Sequence, residues 1–305
     1  MENFLNSYQH LPEHINPVAF KIGIFSVDYY SLMYILAFLT VYLLLVFRTK
    51  KKEGLYSESL ILDFMFYAIL GVLIGGRLGY VLFYNFPYYL AHPLEIISPI
   101  SVTSYGLQVT GIYGMSFHGG LIGVILSSFL FVRKYKIDFF QWADFVVPAI
   151  PAGYFFGRIG NFLNGELYGR ATEKFWGMYF PQDPLGLLRH PSQLYEAFFE
   201  GLVLFIILWV LRNAKTSNVL RTPACRQAGF SLDIRCPNGG LFALYLFMYG
   251  FFRFFIEFFR EPDPQIGLIF GCLTFGQILS LVTIAAGAII FFVREEKNRY
   301  NKVNE

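Results

Sequence analysis

Seven apolar stretches, each about as long as a membrane-spanning helix, constrain this chain more than any other feature. A bilayer core about 30 Å thick requires about 20 apolar residues per helix. Such stretches occur at 29–47, 60–85, 112–132, 142–164, 194–211, 239–259 and 268–293. Pro148, Pro151 and Gly153 interrupt the fourth, which membranes tolerate where neighbouring helices satisfy the freed backbone groups. We therefore predict an all-α integral membrane protein with seven transmembrane helices in a single membrane domain, 1–305.

The composition agrees with this class and excludes others. Hydrophobic residues make up 55% of the 305 residues and charged residues only 15%, whereas soluble domains carry about 25% charged residues. This excludes a disordered chain, an ordinary soluble fold and nucleic-acid binding through a basic surface. Three cysteines are too few for a disulfide scaffold.

The positive charges alternate across the predicted spans. Lys and Arg concentrate on the cytoplasmic side of a membrane protein. One set of connections holds 16 of the 24 Lys and Arg residues and the opposite set holds 5. The richer set is 48–59, 133–141, 212–238 and 294–305. We therefore predict a multi-pass protein with its N-terminus outside and its C-terminus in the cytoplasm.

Three connections stand out by length. The predicted extracytoplasmic loops 86–111 and 165–193 are rich in Tyr, Pro and Gly. The cytoplasmic insert 213–238 is polar and aperiodic, and contains Cys225 and Cys236 without a nearby His or further Cys. A structural metal site requires about four ligands, so a solvated loop with free thiols is expected rather than a metal site.

Three arginines lie within the apolar spans, where each costs about 2.5–3.5 kcal/mol on insertion scales. Arg253 shares a helical face with Tyr249 and Glu257, because the three are spaced by four residues. One interpretation is an ion pair that only cancels charge. The other is a guanidinium held by Glu257 and Tyr249 that binds an anionic ligand, since its planar geometry matches phosphate.

A second polar cluster follows the Pro-broken span. Arg158 and Asn161 share a helical face, and Glu166 and Gly169 follow within the segment 157–170. It is either a polar helix exit at the membrane interface, or a site where side chains and exposed amides bind a phosphate near the outer leaflet.

Two further residues have both structural and functional interpretations. His118 lies in a span without Asp, Glu, Lys or Arg; a backbone carbonyl can satisfy it, but imidazole is also a proton acceptor near neutral pH. Arg77 lies among Gly75, Gly76 and Gly79, so helix–helix contact or snorkelling is the alternative to ligand binding. Taken together, the polar residues point to a cavity that binds an anionic lipid.

Several segments resemble one known family, in that family's order. The string Gly157-Arg158-Ile159-Gly160-Asn161-Phe162-Leu163-Asn164-Gly165-Glu166-Leu167-Tyr168-Gly169-Arg170 closely resembles the signature of the phosphatidylglycerol–prolipoprotein diacylglyceryl transferases. The further similar segments are Tyr30 to Tyr34, Gly75 to Tyr80, Ser116 to Gly120, His190 to Glu196 and Tyr249 to Asp263. The resemblance implies a seven-span bacterial inner-membrane enzyme with its N-terminus outside.

The resemblance also implies a reaction and its residues. The reaction transfers sn-1,2-diacylglyceryl from phosphatidylglycerol, a membrane lipid, to the lipobox cysteine thiol of a prolipoprotein signal peptide, and releases glycerol phosphate. The family arginine that matches Arg158 binds phosphatidylglycerol, and those residues matching His118 and Arg253 are implicated as essential. Other implicated positions match Tyr30, Asn161, Glu166, Gly169, Tyr249 and Glu257, and we add Arg77 as a substrate-binding candidate. No cofactor, metal or nucleic acid is expected.

The chemistry is compatible with these residues. A thiol is only a few per cent thiolate at neutral pH, so a base assists its attack, and His118 is the candidate. Arg158 and Arg253 neutralise charge on the departing phosphate in a medium of low dielectric constant. The alternative hypothesis is a non-enzymatic transporter of anionic lipid or solute. Transporters often contain internal repeats and paired broken helices, whereas this sequence has only one Pro-broken span.

Overall fold

The structure is a computed structural model that describes residues 2–23, 25–54, 56–97, 100–103, 106–109, 114–212, 237–261, 268–269 and 273–303. The chain divides into two compact units: Met1–Gly54 with Phe140–Glu305, and Leu55–Phe139. Nearly all of the insert predicted at 213–238 lies outside the described residues.

Helices dominate both units. In chain order they are α1 (Glu2–Gln9), α2 (Tyr29–Lys50), α3 (Glu58–Phe83), α4 (Phe86–Ala91), α5 (Phe117–Lys134), α6 (Phe139–Val146), α7 (Ile150–Leu163), α8 (Ser192–Leu211), α9 (Gly240–Ile256) and α10 (Phe275–Val303), with 3₁₀ turns at Leu11–His14 and Pro93–Ile96. The strands are β1 (Val18–Ile22), β2 (Phe25–Asp28), β3 (Ile100–Thr103), β4 (Gly106–Val109), β5 (Leu268–Ile269) and β6 (Leu273–Thr274). They form three antiparallel pairs, β1–β2, β3–β4 and β5–β6, which the all-α prediction did not include.

Four helices of the described chain are long and apolar enough to cross a membrane: Tyr29–Lys50, Glu58–Phe83, Ser192–Leu211 and Phe275–Lys297. The shorter helix α9 is also strongly apolar. Many of their large side chains are exposed, which lipid contact explains, since a bilayer favours apolar surface. The chain is therefore a mainly helical membrane protein, while the seven spans and their orientation stay predictions.

Two helices begin later than the apolar stretches that predicted them, because capping residues fix their first turns. Ser116 accepts a hydrogen bond from Gly119 N at 3.2 Å, so α5 begins at residue 117 rather than 112. Before α10, Thr274 and Gln277 form a reciprocal capping box: Thr274 N donates to Gln277 Oε1 at 3.0 Å, and Gln277 N donates to Thr274 Oγ1 at 3.2 Å.

The predicted span 142–164 consists of two helices, α6 and α7, separated at the proline-containing segment 147–149. Carbonyl groups freed at the end of α6 accept hydrogen bonds from the buried Arg48, whose Nη1 lies 2.5 Å from Phe145 O. The Asp144 carboxylate accepts hydrogen bonds from Gly239 N at 2.8 Å and Phe242 N at 2.9 Å. The break therefore joins α2, α6 and the first turn of α9 without leaving these groups unsatisfied.

Helix α8 changes its hydrogen-bonding pattern along its length. It contains a π-helical segment at Ala197–Val203, which begins directly after Glu196 and includes Glu200. Further along, Leu204 and Leu208 pack with Val147 and Leu241 in the core of the first unit. Because π-helical turns are rare and often occur at functional sites, this segment directs attention to the acidic residues around it.

In the second unit, α3 and α5 pack through glycines. The backbones approach so closely that a Cβ atom on Gly75 would lie 2.4 Å from Gly119 O, and one on Gly123 would lie 2.0 Å from Gly71 O. Small residues four apart permit this kind of contact between membrane helices.

Candidate functional site

One buried carboxylate joins three arginines in the first unit. Glu196, on α8, is 1% exposed. Its Oε2 lies 2.6 Å from Nε of Arg158 on α7. Its Oε1 lies 2.9 Å from Nη1 of Arg253 on α9 and 3.1 Å from Nη1 of Arg260. The structure thus brings Arg158 and Arg253 to one site, through a residue that the sequence analysis did not single out.

Arg253 has a second acidic partner on its own helix. Its Nη2 lies 3.0 Å from Oε2 of Glu257, which is the ion pair that the four-residue spacing favoured. Thr274 donates a hydrogen bond from Oγ1 to Glu257 Oε1 at 3.0 Å, so the start of α10 orients this carboxylate. Arg253 also lies near Glu200, whose Oε1 is 3.9 Å from Nη1.

Arg158 is fixed by neighbours on α7. Its Nε donates to the Tyr154 hydroxyl at 2.8 Å, and its Nη1 donates to Asn161 Oδ1 at 3.2 Å. Asn161 in turn donates from Nδ2 to Glu166 Oε1 at 2.8 Å. The predicted residues Arg158, Asn161 and Glu166 therefore form one hydrogen-bonded chain that runs from α7 into the loop after it.

That loop is fastened by backbone contacts around Gly169. Gly169 N donates to His190 O at 2.8 Å, and a Cβ atom at Gly169 would lie 2.2 Å from Phe259 O. Gln193 donates from Nε2 to Glu166 O at 2.6 Å. Glycine is required at residue 169 because the loop and the segment after α9 meet there backbone to backbone.

An ion pair outside the predicted spans stiffens the same loop. Asp183 accepts two hydrogen bonds from Arg189, from Nε at 2.8 Å and from Nη2 at 2.9 Å. The Arg189 guanidinium holds the pKa of the Asp183 carboxyl below its ordinary value, and hydrogen bonds from Leu187 N and Leu185 N act in the same direction. The loop that carries Glu166 and Gly169 is thus closed by a bidentate pair.

The three arginines form the accessible side of the cluster. The side chains of Arg158, Arg253 and Arg260 are 12%, 15% and 16% exposed. The carboxylates behind them are almost fully buried: Glu196 is 1% exposed, Glu200 0% and Glu257 6%. A ligand that reaches this cluster therefore meets guanidinium groups first, which favours an anion.

Two predicted tyrosines lie against α7. The Tyr30 ring packs on α7 beside Gly160, where a Cβ atom would lie 3.4 Å from its Cδ2, and the Tyr30 hydroxyl donates to that of Tyr34 at 3.1 Å. The Tyr249 ring meets the Tyr154 ring edge to face, with centroids 6.0 Å apart. Both therefore border the helix that carries Arg158.

The other two predicted residues belong to the second unit. His118 lies exposed in the first turn of α5. Arg77 donates from Nη2 to Glu95 O at 2.7 Å and from Nε to Ile96 O at 2.8 Å, and its Cζ lies 5.0 Å from the centre of the Tyr89 ring. These bonds tie the segment after α4 to α3, so Arg77 has a structural task whether or not it also binds substrate.

Four residues of the cluster were not among the predicted site residues: Tyr154, Glu196, Glu200 and Arg260. A signal existed for two of them. Glu196 and Glu200 are the acidic residues of the apolar stretch 194–211 and are spaced by four, so both require partners inside the membrane. Their arginine partners lie on other helices, which spacing within one helix does not reveal.

Comparison with known proteins identifies the family of the chain. The family described as prolipoprotein diacylglyceryl transferase matches residues 17–293. A phosphatidylglycerol–prolipoprotein diacylglyceryl transferase from Chlorobaculum tepidum is 48% identical over 94% of this chain and 92% of its own. Similar enzymes from Bordetella avium and a Marinomonas species are 46% and 40% identical, over 93% and 95% of this chain and 96% and 97% of theirs. The chain therefore belongs to the prolipoprotein diacylglyceryl transferase family.

Proposed function

We propose that this protein transfers the sn-1,2-diacylglyceryl group of phosphatidylglycerol to the lipobox cysteine thiol of a prolipoprotein and releases glycerol phosphate. The names of its relatives give the two substrates. The observation that carries the proposal is the carboxylate of Glu196, bound by Arg158 at 2.6 Å and by Arg253 at 2.9 Å. Such an arrangement presents two guanidinium groups to one phosphate.

In this mechanism Arg158 and Arg253 bind the phosphate of phosphatidylglycerol. Glu196 holds both guanidinium groups in place, and Glu257 orients Arg253 through the other terminal nitrogen, Nη2. The attraction between guanidinium and phosphate is stronger here than in water, because the site has a low dielectric constant. As the leaving group departs, the arginines stabilise its growing negative charge.

The bond changes balance without a cofactor. The cysteine sulfur attacks the glyceryl carbon that carries the phosphate and forms a thioether bond. The bond between that carbon and the phosphate oxygen breaks, and its electron pair leaves with glycerol phosphate. The thiol proton passes to a base, for which His118 is our candidate. Tyr30, Arg77, Asn161, Glu166, Gly169 and Tyr249 complete the proposed substrate-binding residues.

The proposed topology has seven spans in the bacterial inner membrane, with the N-terminus outside and the C-terminus in the cytoplasm. It is supported by the distribution of Lys and Arg, of which 16 lie on the proposed cytoplasmic side. Reporter enzymes fused after Glu305 test it. We expect activity from a reporter that works in the cytoplasm, and activity only from one that requires the exterior contradicts the topology.

The transfer itself is tested with purified protein in vesicles that contain phosphatidylglycerol and a synthetic lipobox peptide. We expect the peptide to gain the mass of a diacylglyceryl group, and a peptide with serine in place of cysteine to gain none. Movement of phosphatidylglycerol between leaflets with no mass gain on the peptide contradicts the proposal and favours a lipid transporter.

A further inference from the structure

The mechanism above leaves one deeply buried acid without a task. The Glu200 side chain is fully buried, and its Oε1 has no hydrogen-bond partner within the described part of the chain. An acid held in an apolar span costs free energy unless its surroundings compensate it, so its presence calls for an explanation. Its contacts lead to α7.

Helices α7 and α8 touch beside Glu200. A Cβ atom on Gly201 would lie 2.8 Å from Phe155 Cβ and 2.9 Å from Phe155 Cα, so only glycine permits this approach. The contact lies in the π-helical segment Ala197–Val203. It brings the Glu200 carboxylate to the side chain that precedes Phe155, which is Tyr154.

The Tyr154 hydroxyl links Glu200 to Arg158. It donates to Glu200 Oε2 at 2.5 Å and accepts a hydrogen bond from Arg158 Nε at 2.8 Å. The Tyr154 ring also lies beneath the guanidinium, with Arg158 Cζ 4.8 Å from its centroid. Tyr154 therefore contacts Arg158 through both its oxygen and its ring face.

Glu200 fixes the direction in which the Tyr154 hydroxyl proton points. A tyrosine hydroxyl has one proton, so donation to Glu200 leaves the oxygen lone pairs free to accept from Arg158. The competing acceptor is Glu196 Oε2, at 3.5 Å from the same hydroxyl. With Glu200 removed, the proton is free to turn toward Glu196, and the oxygen no longer faces Arg158 in one fixed orientation.

We infer that Glu200 is a positioning residue for phosphatidylglycerol binding, which acts through Tyr154 to fix the guanidinium of Arg158. The inference rests on the proposed function. Arg253 is a second neighbour of Glu200, with Nη1 at 3.9 Å from Oε1. A role limited to balancing that charge makes a different prediction for the same variants, because it does not pass through Tyr154.

The test uses Glu200→Ala, Glu200→Gln, Tyr154→Phe and the double variant Glu200→Ala/Tyr154→Phe in the vesicle transfer assay. We expect Glu200→Ala and Tyr154→Phe each to raise KM for phosphatidylglycerol about tenfold or more, with a smaller change in kcat, as for a lost binding interaction. The double variant should be no worse than Tyr154→Phe alone, because the two residues act in series. Glu200→Gln should recover most of the loss, since its amide oxygen accepts the same hydrogen bond.

Matched measurements keep the outcomes distinct. Phe198→Leu, at a half-exposed residue of the same π-helical segment, serves as the control and should leave KM unchanged. Additive losses in the double variant overturn the inference, as does a Glu200→Gln variant as impaired as Glu200→Ala. An unchanged KM in Glu200→Ala with only a lowered Tm also overturns it. Absence of transfer by the wild-type protein contradicts the proposed function instead.

Discussion

Nε of Arg158 lies 2.6 Å from Oε2 of Glu196, and this contact joins helices α7 and α8 inside the apolar part of the chain. The other oxygen of the same carboxylate lies 2.9 Å from Arg253. Two guanidinium groups from separate helices are therefore held at a spacing set by one acid. Because the ion pairs with Glu196 restrict the rotation of both arginine side chains, less conformational entropy is lost when an anion binds.

Replacement of Glu196 with Gln should remove activity and weaken the fold together. The change removes the buried negative charge that Arg158, Arg253 and Arg260 share, and loss of one partner of a buried ion pair costs about 3–5 kcal/mol. We expect transfer to fall by about 100-fold or more, because misplacement of groups at a reacting centre has effects of that size. The measurements are the initial rate of peptide modification and the Tm.

Glu173→Gln provides the matched control, since Glu173 is exposed in the loop between α7 and α8. It should retain both the rate and the Tm. A Glu196→Gln protein with the wild-type transfer rate would contradict the proposed role of Glu196.

Gly169→Ala tests the backbone contact that closes the loop. The new Cβ atom would lie 2.2 Å from Phe259 O, so the loop or the segment after α9 must move. We expect a loss of about 1–3 kcal/mol in the free energy of unfolding, as for other overpacked sites, and a large drop in transfer rate. Gly157→Ala is the control, because a Cβ there meets nothing within 4 Å beyond the adjacent backbone of its own helix. Equal stability and equal transfer rates in the two variants would contradict this role of Gly169.

The pair of Asp183 and Arg189 makes stability depend on acidity. Because Arg189 lowers the pKa of the folded Asp183 carboxyl, the pair stabilises the fold above the ordinary aspartate pKa of about 3.9 and loses this effect as the pH falls through the lower folded value. Asp183→Asn should therefore lower the Tm at pH 7, and the difference from the wild type should shrink below about pH 4. A Tm difference that stays constant from pH 7 to pH 3 would contradict this assignment.

The pH–rate profile of His118→Gln tests the proposed base. If the imidazole of His118 accepts the thiol proton, the profile of the variant differs in shape from that of the wild type, because glutamine cannot accept the proton. A low rate with an unchanged profile shape would show instead that His118 orients the headgroup. At high pH the substrate cysteine ionises without help from a base. The rate of the variant should therefore partly recover if His118 is the base, and should not recover if His118 orients the headgroup.

Spacing within single helices predicted part of this site. The pairs Arg253 with Glu257 and Arg158 with Asn161 are local, so steps of four and three residues place them together. Glu196 could not be assigned in this way, because its partners lie on α7 and α9 and depend on how three helices pack. The π-helical turns of α8 could not be predicted either, since 197–203 apart from Glu200 has the apolar composition of an ordinary membrane helix.

The boundaries of the helices could likewise be predicted only in part. The apolar stretches located the long helices, but local capping decided where two of them begin. Strand β6, Leu273–Thr274, directly precedes α10, although the apolar stretch that predicted this helix begins at residue 268. A hydropathy pattern measures preference for lipid, whereas a helix begins where a side chain satisfies its first free N–H groups.

In the proposed mechanism Arg158 and Arg253, positioned by Glu196, bind the phosphate of phosphatidylglycerol. Lipid binding measured by native mass spectrometry tests this role most directly. Lysine keeps the charge but lacks the planar group of donors, so Arg158→Lys and Arg253→Lys should each weaken phosphatidylglycerol binding about tenfold or more. Arg133→Lys, at an exposed residue of α5, should bind as the wild type does. Wild-type affinity in both Arg158→Lys and Arg253→Lys would contradict the account.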